Sequence, residues 1–249
     1  MCLVVLAIGA NPRFPLVVLS NRDEVYDRPS APAHAWSDED IFAGRDLREG
    51  GTWLGVRKTQ SGNSFSLVTN VRSPSARRTG KSRGLVVRRT LSSGFDFSAD
   101  ELEAFPAFNL LFGGVGAVYY ANESGQAPAL LGPGIHGLSN ARMDVPWPKV
   151  TRTERVLTEL LGERDASFDV DRALAALRDD ARADENELPD TGVGKEWESA
   201  LSSPFIALPG YGTRASTVLV YEADGTLRFT EQGYGPSGVS LGRVSVTLP

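Results

Sequence analysis

Apolar residues open the chain in an unbroken run, Leu3-Val4-Val5-Leu6-Ala7-Ile8, and return at Leu16-Val17-Val18-Leu19 after the turn-forming Asn11-Pro12-Arg13. Strands covered on both faces read this way, and the pattern predicts strands at 2–9 and 16–20 joined by a hairpin turn. Residues 25–50, with prolines at 29 and 32, read as loop. Further strands are predicted at 52–57 and 64–69. A basic Ser/Pro/Gly loop covers 72–82, and then Leu85, Val86, Arg89 and Leu91 recur at helical spacing, predicting a helix over 83–92. Ser98-Ala99-Asp100-Glu101 has the form of a capping box, so a short helix over 98–103 is expected. Strands are predicted at 108–113, 116–121 and 128–131, followed by a Gly- and Pro-rich loop at 132–148. Two amphipathic helices, 149–161 and 169–182, lead into an acidic loop that reaches residue 205. Strands at 215–222, 226–231 and 239–247 close the chain.

Strands first, helices in the middle and strands again, joined by hairpins, predict an α+β fold on antiparallel sheets rather than a βαβ series. Two sheets with helices on their outer faces would cover both faces of the opening strand and explain its apolar run. No repeat or linker interrupts the pattern, so residues 1–249 read as a single domain.

Composition narrows the class. The 249 residues are 41% hydrophobic and 23% charged, with a net charge of −5, the balance of an ordinary globular chain. No apolar run approaches the roughly 20 residues that cross a bilayer. The chain start carries neither a basic n-region nor an Ala-x-Ala site, so the expected compartment is the cytoplasm. One cysteine excludes an internal disulfide. The two histidines, His34 and His136, stand in no zinc-ligand spacing, and no metal is expected. A negative total charge without a binding motif argues against nucleic acid. Charge is nevertheless uneven. No acid occurs between Glu49 and Asp96, a stretch that holds Arg57, Lys58, Arg72, Arg77, Arg78, Lys81, Arg83, Arg88 and Arg89. Residues 163–198 carry twelve acids against five bases. The pattern fits either two solvated faces or a basic rim that attracts a small anion.

Candidate chemistry gathers at two places. Cys2 becomes the first residue once Met1 is removed, and a small second residue permits that removal. Its thiol would then share a residue with an α-amine of pKa about 8, able to take the proton of a thiol of pKa about 8.5. No histidine is required. The same residue also fits a small hydrophobe opening a buried strand. Asn21-Arg22-Asp23-Glu24 follows the second apolar run directly. A hairpin from 2–9 to 16–20 would bring it back beside Cys2. An aspartate there would orient the amine or the thiol, and an arginine would hold a thiolate or a substrate anion. The cluster equally fits a salt-bridged turn.

Asn21-Arg22-Asp23-Glu24 followed by Arg28-Pro29 resembles the namesake motif of the NRDE family, also called the transport and Golgi organisation family. The likeness continues through Gly50-Gly51-Thr52-Trp53-Leu54-Gly55, Thr69-Asn70, Ser82-Arg83-Gly84 and Asn109-Leu110. It goes on through His136-Gly137-Leu138-Ser139-Asn140-Ala141, Pro146-Trp147-Pro148-Lys149, Gly210-Tyr211-Gly212-Thr213-Arg214 and Phe229-Thr230-Glu231. The family in turn looks like the cysteine branch of the N-terminal-nucleophile hydrolases, which includes penicillin V acylase, bile salt hydrolase and acid ceramidase. This resemblance implies a four-layer αββα sandwich of two antiparallel sheets flanked by helices. It implies Cys2 as nucleophile, Asp23 as its orienting carboxylate and Arg22 as a supporting cation. Asn70 and Asn140 resemble the oxyanion-side residues, and Arg214 resembles the late arginine that closes the site. The hydrolase branch places its arginine before an asparagine, whereas here Asn21 precedes Arg22. Asn21, Glu24, Trp53, Arg83 and His136 are candidate substrate-binding residues. Trp53 also fits a core position, and His136 a loop position.

Acyl transfer needs a nucleophile, a proton acceptor and donors aimed at the developing oxyanion, each donor lowering the barrier by roughly 3 kcal/mol. The expected activity is hydrolysis of an amide or thioester of a small acyl compound, with no cofactor required. The family resemblance also implies an alternative, a non-catalytic protein that binds or traffics haem, acyl-coenzyme A or lipid on the same scaffold. In that case the basic stretch 57–89 would meet propionates or phosphates.

Overall fold

The computed structural model describes residues 2–76, 79–163 and 167–249, position 2 by its backbone. The opening apolar run is β1 (Cys2–Ile8), and its hairpin partner is β2 (Leu16–Val25). In the first antiparallel sheet β1 lies between β2 and β10 (Gly134–Leu138). The sheet continues from β2 to β12 (Tyr211–Tyr221), β13 (Leu227–Tyr234) and β14 (Ser240–Leu248), with the short β11 (Ala207–Leu208) paired to β12. The second sheet runs in chain order through β3 (Ser30–Ala35), β4 (Phe42–Asp46), β5 (Leu54–Thr59) and β6 (Gly62–Asn70). It ends with β7 (Phe108–Gly114), β8 (Ala117–Asn122) and β9 (Ala129–Leu130). The helices are α1 (Gly84–Ser93), α2 (Ala99–Leu102), α3 (Pro148–Gly162), α4 (Val170–Leu177) and α5 (Lys195–Ala200). The class is α+β. Among the described residues no helix is long and apolar enough to cross a membrane.

Strand alternation divides the apolar side chains among three clusters. Leu3, Val5, Val17 and Leu19 meet Leu157 and Leu160 of α3 and Leu174 and Leu177 of α4. Val4, Leu6, Leu16 and Val18 meet Leu54, Phe65 and Leu67 of the second sheet. The other face of that sheet packs Val68, Phe108 and Leu110 on Val86, Val87 and Leu91 of α1. Both faces of β1 are therefore covered, and each buried Val or Leu side chain contributes about 1.5–3 kcal/mol by leaving water. That is why its sequence shows no alternation.

Several elements depart from the sequence pattern for physical reasons. β2 does not stop at residue 20. It runs through the polar Ser20–Glu24 to Val25, because β12 pairs with it along that whole length, from Leu16 to Val25. Two strands, β3 and β4, occupy part of the stretch read as loop. Pro29 precedes β3 and Pro32 lies in its middle, which an edge strand tolerates. β10 lies inside the Gly-rich 132–148 stretch. Its glycines give it little strand propensity, but the β1 edge supplies its ladder, from Val4↔Leu138 to Ile8↔Gly134. Helix α4 ends at Leu177, five residues short of the expected 182, where Asp179 and Asp180 interrupt the apolar face.

Candidate functional site

The ladder between β1 and β2 runs from Ile8↔Leu16 to Cys2↔Arg22. The motif letters Asn21-Arg22-Asp23 thus sit inside a strand, paired with β12 through Ser216↔Asn21, Ala215↔Arg22 and Thr213↔Asp23. Alternation sends consecutive side chains to opposite faces. Asn21 points toward the helices. Its amide donates to the carbonyls of Leu177 (2.7 Å) and Pro204 (2.9 Å), and its Oδ1 accepts from Ser216 Oγ at 2.6 Å. Arg22 lies between the sheets, its guanidinium 4.2 Å from the centre of the Trp53 ring. Asp23 is buried and accepts from Thr213 Oγ1 at 2.7 Å. Burial pushes the Asp23 carboxyl above its ordinary range, against the pull of the Lys149 charge, the Thr213 hydroxyl and Arg22. Glu24 stands 3.9 Å from Arg28.

A cavity of about 240 Å³ opens at this end of the ladder, walled by Arg22, Asp23, Trp53, Asn70, Lys81 and Arg83. Two glycines make it possible. A Cβ on Gly51 would lie 2.4 Å from the Gly84 carbonyl carbon, and one on Gly84 would lie 2.9 Å from the Thr52 oxygen. Without side chains the segment before β5 can run against the start of α1, where Thr52 N donates to Gly84 O at 3.2 Å. This contact places Trp53 and Arg83 around one space. The cavity is rich in charge. Arg28, which also lines it, is committed to Asp46 at 2.5 Å, and Lys81, Arg83 and Arg22 line it as well. Arg83 Nη1 also donates to Ala107 O at 3.2 Å.

Other candidates lie elsewhere or do other work. Asn140 is fully buried and its amide donates to the backbone carbonyl of Asn70 at 3.0 Å, tying the end of β6 to the segment after β10. Arg214 is the extra residue of a bulge in β12, between Thr213 and Ala215. A bulge re-aims its side chain, and Nη1 of Arg214 donates to the carbonyls of Val25 (3.1 Å) and Tyr26 (3.0 Å), fastening the end of β2. His136 lies on β10 and is not among the cavity residues. Its Nδ1 meets Asp144 Oδ2 at 3.1 Å and its Nε2 meets Gly132 O at 2.9 Å. Both partners only accept, an arrangement that favours the ring with both nitrogens protonated. Partial burial lowers its pKa, but the bonds to Asp144 and Gly132 outweigh burial and leave it raised. A raised folded pKa gives stability that is present below the unfolded value and lost as pH rises through the folded one. His136→Gln is therefore expected to destabilise the protein at pH below about 6.5, with the difference shrinking above neutrality. Denaturant melts of both proteins across pH check this, and a difference that grows with pH would refute it.

Three arginines of the acid-free run are neutralised by the fold. Arg72 pairs with Glu198, Arg88 with Glu39, and Arg89 with Glu101, all carboxylates outside that run. Arg57 donates to carbonyls at the end of α1. Arg77 and Arg78 lie outside the described residues. Two buried charges stand in the quoted motifs with no site role given to them by the sequence. Lys149 shares its helix face with Val150, Thr153 and Leu157, and an apolar stripe that includes a lysine was the available signal. Glu231 continues the inward period of Leu227 and Phe229, and an acid at that position was the signal for it.

These observations define a class: a two-sheet α+β protein whose second strand carries Asn-Arg-Asp-Glu within the ladder, not in a turn. The sequence model of the family described as Transport and Golgi organisation 2 matches residues 1–236. The chain belongs to that family. It is 32% identical over 259 residues to the Transport and Golgi organization protein 2 homolog of Bos taurus, a match covering 93% of this chain and 92% of the relative. Against the homolog of Homo sapiens the identity is 30% with the same coverage. Against Transport and Golgi organization protein 2 of Drosophila melanogaster it is 23% over 277 residues, covering 96% of this chain and 95% of the relative.

Proposed function

We propose that the chain is an N-terminal cysteine hydrolase, cytoplasmic, acting on an amide or thioester of a small acyl compound. The observation that carries the reading is the register of position 2 with Arg22 beside the polar cavity. On this reading Met1 is removed and the Cys2 thiolate attacks the acyl carbonyl, its proton passing to the α-amine. The amine returns that proton to the departing amine or thiol, leaving an acyl-thioester on Cys2. Water then hydrolyses the thioester, releasing the acid and the thiol. Arg22, held by its stack on Trp53, would favour the thiolate, and Asn70, which lines the cavity, would donate to the oxyanion. The order of the three apolar clusters, helices on sheet, sheet on sheet, sheet on helix, supports assigning the four-layer αββα sandwich of the N-terminal-nucleophile hydrolases.

The charge of the cavity favours one second reading. Lys81 and Arg83 line it, and a non-catalytic protein would use them to hold the propionates of haem or the phosphates of acyl-coenzyme A. His136 does not suit iron ligation, since both its ring nitrogens are engaged, by Asp144 and by Gly132 O.

A panel of acyl amides and acyl thioesters, with intact mass measured in parallel, separates the two. The hydrolase reading expects Met1 removal, an acyl adduct of the whole protein, and turnover that falls by about a thousandfold or more in Cys2→Ser. Retained Met1 with no turnover overturns it. Binding of haem or acyl-coenzyme A that survives Cys2→Ala and fails in Lys81→Glu/Arg83→Glu supports the second reading instead.

A further inference from the structure

Strand β14 forms one edge of the first sheet, and among the described residues no strand pairs with its outer side. Such an edge is a row of open backbone N–H and C=O groups, and proteins blunt it with short length, proline or charge. The other ends of the two sheets are blunted in this way. β9 has two residues, β3 has Pro32 in its middle, and β10 has five residues, two of them glycine. β14 has nine residues, with no proline, lysine or acid among them. Its ladder to β13 slips only at the start, between Ser240 and Gly242, and runs regularly from Gly242 to Leu248.

The side chains of β14 are as open as its backbone. Val244, Val246 and Leu248 pack against the core between the sheets but stay only partly buried, and the exposed Arg243, Ser245 and Thr247 alternate with them. One more strand would extend the ladder and close over the three apolar residues together. Charge decides which strand fits. Arg243 is the one charge of β14, and it is already paired with Asp171 at 2.6 Å. An uncharged strand therefore suits this edge better than an acidic one, and β14 is itself nearly uncharged. Antiparallel pairing of β14 with its own copy, the regular segment Gly242–Leu248 fully overlapped, sets Ser245 against Ser245 on a two-fold axis. Val244 then lies against the partner's Val246, a favourable pair of β-branched side chains that the two-fold makes twice. Arg243 lies against the partner's Thr247, so the two arginines stay apart.

We propose that two copies of this chain associate edge to edge through β14, the first sheet running on from one copy into the other across a two-fold axis at Ser245. Seven paired residues a side make a small interface, so the dissociation constant is expected on the order of 10 µM. Sedimentation velocity on the full chain, from about 1 to about 300 µM, reads it directly. The place of Ser245 on the axis gives the test its sharpness. Ser245 is exposed, so a charge there leaves the core alone. Ser245→Lys and Ser245→Asp each bring like charges face to face across the axis, and each is expected to raise the dissociation constant about tenfold or more. Mixed in equal amounts, the two variants set lysine against aspartate and are expected to associate at least as tightly as the parent. A substitution that merely loosened the strand would gain nothing from mixing. Cys2→Ala should dimerise like the parent, so failure of the hydrolase reading and failure of this one are distinct. A parent that stays monomeric at about 300 µM, single variants that dimerise as the parent does, or a mixture no tighter than its components overturns the proposal.

Discussion

Arg72→Ala is expected to destabilise the fold by about 3–5 kcal/mol, the cost of breaking a buried ion pair by removing one partner. Arg72 follows β6, and its Nη2 stands 3.0 Å from Glu198 Oε2 on α5, the two side chains 7% and 3% exposed. Glu198 has further commitments. Its Oε1 accepts from the Thr191 backbone at 2.7 Å and from the Thr191 hydroxyl at 2.5 Å, so it cannot swing out to water without dismantling that segment. The Arg72 guanidinium also lies 5.0 Å from the centre of the Trp147 ring, just before α3. Burial lowers the Arg72 pKa, against the charge of Glu198. Alanine would leave the Glu198 carboxylate buried beside an empty volume. Urea denaturation checks the value, and a loss below about 1 kcal/mol would mean the pair behaves as a solvent-screened surface contact. Replacing both charges, Arg72→Met with Glu198→Gln, should recover much of the loss, since no charge is then left buried without its partner, while the glutamine oxygen can still accept from Thr191.

That pair also explains why the basic stretch misleads when read along the chain. Arg72, Arg88 and Arg89 have no acid near them in sequence, yet the fold brings Glu198, Glu39 and Glu101 to them. Linear spacing carries no information about such long-range pairing. The sequence was more legible where periodicity reports burial. The apolar runs of β1 and β2 and the amphipathic spacing of α1 and α3 each mark an element that forms, because each buries a face against another layer. The capping box at Ser98 forms as well, with Glu101 N donating to Ser98 Oγ at 3.2 Å. β10 was hidden because its glycines weaken its local preference, and only the edge of β1 makes it a strand. For the site, the family motifs identified Asn21-Arg22-Asp23-Glu24 and Ser82-Arg83-Gly84 but not their geometry. Arg22, Trp53 and Arg83 do meet around one cavity, while Asn140 and Arg214 hold backbone carbonyls. A buried donor that anchors the chain and one that serves a ligand have the same letter in the sequence.

Asn21 and Arg22 give that distinction its sharpest test. They are adjacent in the motif, but strand alternation has sent them to opposite faces of β2 and thus to different tasks. Asn21→Leu preserves volume and removes three hydrogen bonds at once, leaving the carbonyls of Leu177 and Pro204 and the hydroxyl of Ser216 without that partner in a buried place. At about 1 kcal/mol or more for each, the loss should reach about 3 kcal/mol or more. Because the Asn21 side chain faces α4 and not the cavity, the protein that remains folded should keep the thiol alkylation rate of the parent. Arg22→Lys should do the reverse. It keeps a positive charge between the sheets but gives up the planar stack on Trp53, worth about 0.5–2 kcal/mol. The melt should therefore shift less than for Asn21→Leu, while the alkylation rate of Cys2, its register partner, should change. Denaturant melts and iodoacetamide kinetics on the two variants check both halves. If Asn21→Leu slows alkylation of the folded protein while Arg22→Lys leaves it unchanged, the division of labour by strand face is wrong. The asparagine would then belong to the site and the arginine to the packing.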